Sequence, residues 1–74
     1  MSTIPTNGRQ AAQMGLRASA NPHTHYSSAY YIWHADWHQA MHEAAIKARD
    51  LRTAEQYANL AADYKRRAEG ADAL

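Results

Sequence analysis

The chain contains no cysteine. That excludes a disulfide framework and any thiolate metal centre, and it removes the usual mark of an oxidising compartment. No apolar run approaches the roughly 20 residues of a membrane span, and the first residues lack a signal-peptide core. A cytoplasmic protein with no membrane partner is expected. Charge of one sign is missing too. Eight Lys and Arg against 7 Asp and Glu leave +1 with histidine neutral, which is weak for a nucleic-acid binder judged on charge alone. Full protonation of the 5 histidines would add five charges to that +1 and reach +6, so the field is sensitive to pH. There is no glycine-rich phosphate loop and no nucleophile–base pair at a readable spacing. Asp36 by His38 and Glu43 by His42 resemble acid–base pairs, but close neighbours on a helix do not face each other. A chain of 74 residues offers one thin core, stable by a few kcal/mol, and little material for a pocket. A non-enzyme without a cofactor is expected.

What the chain does have is concentrated between residues 33 and 42. Trp33, Trp37 and Met41 fall at i, i+4 and i+8, one apolar ridge on a helix. His34, His38 and His42 repeat the spacing one residue on, about 100° round the axis. Both tryptophans lie here, and in so small a protein two indoles are a large share of the area that can be buried. The tryptophans are expected in the core, with base stacking as the alternative. The histidines read as a solvated polar face. The competing reading, an i, i+4 zinc pair completed by Glu43 or His25, lacks a full ligand signature, so no metal is expected.

Before this ridge, residues 1–7 read as a tail in which Thr3, with Pro5 in the first turn, or else Thr6 and Asn7, caps a first helix. That helix runs from Gly8 toward Arg17 through Ala11, Ala12, Met14 and Leu16. Gly8 and Gly15 each cost it roughly 1 kcal/mol relative to alanine, which suits close packing at both points. Residues 19–28 form the linker: Asn21-Pro22 is a turn, His23, His25 and Tyr26 are exposed, and Ser27 or Ser28 caps the next helix. No glycine or proline follows Ser28 until Gly70. Residues 28–69 therefore form one long helix, paired with a second copy, or two. The apolar stripe Trp33, Trp37, Met41, Ala44, Ala48, Leu51 is out of phase with Tyr57, Leu60, Ala61, Tyr64, Ala68, which favours a break near 49–53. Residues 53–56 fit a capping box for a third helix. The fold class is all-α, a small helical domain divided into a tail (1–7), a core (8–52) and a C-terminal amphipathic helix with a frayed end (53–74). The tail from Glu43 on is charge-neutral, and Lys65-Arg66-Arg67 suits a helix C-terminus.

Three elements together carry a resemblance. Gly8-Arg-Gln-Ala-Ala-Gln-Met-Gly15, then Asn21-Pro22-His23, then Trp33-x-x-x-Trp37-x-x-Ala40-Met41 resemble the ribosome modulation factor family and its small relatives. Residues 8–42, about half the chain, are covered, with one extra residue in the linker. The resemblance implies a helix–turn–helix pair that binds the small ribosomal subunit near the messenger path, blocks initiation and promotes dormant ribosome pairs. Some relatives are associated with ciprofloxacin resistance through a proposed phosphotransfer activity. This sequence departs from the family in three ways. Asn21-Pro22-His23 stands for Cys-Pro-Tyr, Asp36 replaces a glycine, and residues 8–42 carry only Arg9 and Arg17 as fixed cations. The third helix lies outside the pattern.

Two functions follow. The first is a ribosome- or ribosomal-RNA-binding modulator that inhibits translation through Arg9, Arg17, His23, His25 and Tyr26. The second is a small, phage-type inhibitor of a host or defence protein complex, with Tyr57, Leu60 and Tyr64 as partner or homodimer contacts. Gly15, Trp33, Trp37 and Met41 are assigned to the core in either case.

Overall fold

The structure, a computed structural model, describes residues 6–72. Residues 1–5 and 73–74, with the proposed Thr3 cap and Pro5, lie outside the described residues. Three α-helices and no strand occur among the described residues. They are α1 (Gly8–Gln13), α2 (Ser28–Lys47) and α3 (Leu51–Asp72), with a 3-10 turn at Ala18–Ala20.

Each boundary has a local cause. Asn7 caps α1: its side-chain oxygen accepts from the backbone of Arg9 at 2.8 Å and Gln10 at 3.3 Å. The helix stops at Gln13, well short of Arg17, because Gly15 takes a left-handed φ of 80°. Gly15 N–H donates to the Ala12 carbonyl and Leu16 N–H to that of Ala11, which closes a Schellman motif. The core assignment of Gly15 is therefore wrong. It is exposed, and a Cβ there would meet nothing within 4 Å; its role is the turn.

Ser27 caps α2, accepting from Tyr30 N at 3.1 Å. The expected break falls at residues 48–50, so 28–69 is two helices. Arg49 has φ 61° without being glycine, and its N–H and that of Asp50 donate to Ile46 and Ala45 in a second Schellman motif. Asp50 rather than Thr53 caps α3, accepting from Thr53 N at 3.3 Å. The capping-box reading is displaced by three residues because an acid at the N-cap is as good an acceptor as a hydroxyl. The expected division at 52/53 thus lies inside the first turn of α3.

The helices lie side by side, α2 in the middle with α1 packed on one flank and α3 on the other. Overall extents of 38 × 34 × 13 Å make the molecule about one helix thick. The buried apolar side chains among the described residues are Trp33 and a set of alanines, Ala11, Ala45, Ala54, Ala61 and Ala68. Ala54, Ala61 and Ala68 recur every seven residues, so α3 offers α2 a smooth face. The stripe drawn through Ala44, Ala48 and Leu51 is rotated from the real one: all three are exposed, and Ala45 is the buried member.

Candidate functional site

Gly8 carries the α1–α2 contact. A Cβ at this position would collide with the Trp33 carbonyl oxygen and sit 2.8 Å from Trp37 N. Glycine is needed because two backbones approach here. At the next residue, the Arg9 guanidinium donates to both carboxylate oxygens of Glu43, at 3.0 and 2.7 Å. This clamp, chiefly through the hydrogen bond from Arg9, holds the Glu43 carboxyl at about 2, and it raises Arg9 in turn. Arg9 is thus already committed to a carboxylate within the fold.

Trp33 is 1% exposed, the deepest large side chain. Trp37 and Met41 are half-buried rather than fully buried, because the ridge faces the linker as well as a helix. The Trp37 indole N–H donates to the Leu16 carbonyl at 2.9 Å, and Asn21 Nδ2 donates to the Tyr30 carbonyl at 2.9 Å. The linker is therefore tied along α2 from the level of Trp37 to that of Tyr30. Asn21 Oδ1 also accepts from His23 N at 3.0 Å, bridging Pro22, and His23 Nε2 donates to the Thr6 carbonyl at 3.2 Å. His23 is half-buried, so it is part of the turn as well as a surface group.

His25 and Tyr26 are exposed as expected, Tyr26 by 74% at a left-handed φ of 67°, and Arg17, expected at the end of the first helix, is exposed beyond it. The His25, Tyr26 and Tyr30 rings lie 5.1–6.1 Å apart, an aromatic group at the start of α2. It offers ring faces.

The histidine stripe is not the solvated face that its spacing predicts. His34 and His38 are buried, and His42 is half-buried. His34 stacks on Tyr64 at 4.7 Å and 18°, and Tyr30 meets its edge at 4.6 Å. His38 lies 5.1 Å from Tyr64 and 6.0 Å from Tyr57. Tyr57 and Tyr64 are thus spent within the molecule, half-buried against α2. Of the three expected partner contacts only Leu60 is exposed, by 42%. His38 Nδ1 donates to the His34 carbonyl and His42 Nδ1 to that of Ala54, each at 2.7 Å. Those bonds fix both tautomers, since a carbonyl can only accept. His34 Nδ1 is buried without a hydrogen-bond partner. Burial pushes His34 and His38 below the ordinary histidine value, His38 next to His34 adding to the effect on the latter. No three His, Asp or Glu side chains among the described residues are placed to hold one metal ion.

Sequence reasoning missed this ring cluster, although the signal was present. Histidines at 34 and 38 and tyrosines at 57 and 64 each keep helical spacing on facing helices. The site is built from groups assigned separately to a polar face and a docking face. No family model matches the chain, and neither the curated proteins nor the solved structures hold a significant match.

Proposed function

We propose that the chain is a ribosome- or RNA-binding modulator that inhibits translation, engaging the small subunit or its RNA through the linker. The observation that carries this reading is the exposed Tyr26, grouped with His25 and, at the start of α2, Tyr30, on the α1–α2 connection that also bears Arg17. Aromatic faces take unpaired bases by stacking, at about 1–3 kcal/mol per base, and need little charge. The residues behind the family resemblance support it as well: Gly8, Asn21, Trp33 and Trp37 meet at the α1–α2 contact and its linker ties. Arg9 drops out of the contact set, leaving Arg17 as its cation beside His23, His25 and Tyr26.

The test is co-sedimentation with small ribosomal subunits. The parent and Arg9→Ala should sediment alike, whereas Arg17→Ala/Tyr26→Ala should not. Salt dependence should be shallow, because few phosphates are neutralised. No sedimentation of the parent, or no loss in the double variant, would refute the reading.

A second reading, a protein-binding inhibitor, is favoured by the Arg9–Glu43 clamp, which removes one of the two cations of the α1–linker region. Its surface would not be Tyr57 and Tyr64. It would be the exposed aliphatic side of α2 and α3, marked by Ile32 (48%), Ile46 (47%) and Leu51 (70%).

A further inference from the structure

We propose that the side of the α2–α3 layer marked by Ile32 is a two-fold interface for a second copy of this chain, giving a four-helix bundle. The proposal commits the surface of the second reading to one occupant, and it stands apart from the linker.

A groove runs between α2 and α3, lined by Ile32, Ala35, Ala58 and Ala62 with Asp36 on one wall and Lys65 on the other. Ile32, Ala35, Gln39 and Ile46 follow one another at +3, +7 and +14, a heptad seam along α2. Leu51, Ala58, Ala62 and Lys65 do the same along α3, at +7, +11 and +14. The α2–α3 contact itself uses other residues, Ala45, Ala54, Ala61 and the His–Tyr rings. These seams are therefore additional to the fold, in a molecule only 13 Å thick.

Charge selects the occupant. Asp36 and Lys65 share the groove, yet neither forms a hydrogen bond or salt bridge with another described residue. Asp36 acts only at a distance on Arg9, which Glu43 already holds. A two-fold axis along the groove lays each α2 antiparallel on α3 of the other copy. His34 faces Tyr64 and His42 faces Ala54, so Asp36 lies level with about Ala61. Lys65 is then about one turn, roughly 5.4 Å, further along, within reach of a lysine stem. The symmetric operation forms two Asp36–Lys65 pairs at once, as an isologous interface requires. The alanines let the layers close to a short interaxial distance.

Sedimentation equilibrium of the full chain tests this, with circular dichroism confirming that each variant is folded. The parent should show a concentration-dependent monomer–dimer equilibrium that Ile32→Asp abolishes. Asp36→Lys and Lys65→Glu should each weaken the dimer by about tenfold or more, since each sets like charges face to face. Asp36→Lys/Lys65→Glu should restore it. A monomer at all concentrations overturns the proposal, as do a trimer, single reversals without effect, or a double reversal that fails to restore association. Ile32→Asp-sensitive binding of a different, purified protein by a monomeric chain would overturn it too, while upholding the second reading. Subunit co-sedimentation reports on the linker separately.

Discussion

Gly8 of α1 rests directly on the backbone of α2 at Trp33, with no room for a Cβ. Since the obstructing atoms are backbone and not a flexible side-chain end, they cannot step aside. Gly8→Ala should therefore destabilise the protein by about 3 kcal/mol, in the range of core overpacking. Chemical denaturation monitored by circular dichroism checks this. Stability unchanged from the parent would mean that the two backbones do not meet at Gly8 and Trp33.

The two Schellman turns make the same demand of different residues. Gly15 and Arg49 both sit at positive φ, at 80° and 61°, where only glycine is free of strain. Gly15→Ala should cost about 1 kcal/mol, and Arg49→Gly should stabilise by a similar amount. Melting temperatures of the two variants should move in opposite directions from the parent.

Trp33 and Trp37 differ in burial and should differ in cost. Trp33→Ala removes the most enclosed side chain and should lose about 3–5 kcal/mol, enough to unfold most of so small a domain. Trp37→Ala, at a half-buried site that also loses its bond to Leu16, should cost less. Equal losses would mean that Trp37 is as fully enclosed as Trp33.

Acid should loosen the α2–α3 contact. His34 and His38 have folded values pushed below 6.5 by burial, so the unfolded chain binds protons more readily than the folded one. Their contribution is present in full above about 6.5 and is lost as the pH falls through the lower folded values. The groups around them are Tyr30, Tyr57 and Tyr64, with Arg67 5.6 Å from the Tyr64 ring. Arg67 is itself paired with Asp63 at 3.1 Å, and no carboxylate among the described residues forms a salt bridge with either histidine. Thermal melts between pH 7.5 and 5 should show falling stability, and His34→Phe should flatten the dependence. A parent curve that is flat in this range would contradict the burial of the pair.

The break between α2 and α3, the Ser27 cap and the Asn21-Pro22 turn were legible in the sequence because each depends on local chemistry. The partners of the histidines and of Arg9 were not. A histidine at helical spacing looks the same whether it meets water or a tyrosine, and only the return of α3 along α2 brings Tyr64 onto His34. Likewise the Arg9–Glu43 pair spans 34 residues, and nothing in either neighbourhood names the other. Gly15 was misassigned for a related reason: glycine serves both close packing and left-handed turns, and the sequence offered both uses. The exposure of His25 and Tyr26 was legible because exposure after a proline turn is again a local matter, whereas Arg17, read as the end of the first helix, lies beyond it.

The most direct test of the proposed function is cell-free translation titrated with the purified chain, read as reporter synthesis. The account predicts dose-dependent inhibition by the parent and by Arg9→Ala, with Arg17→Ala/Tyr26→Ala losing most of it while staying folded. Undiminished synthesis at a large excess of the parent over ribosomes, or inhibition untouched by the double substitution, would contradict it.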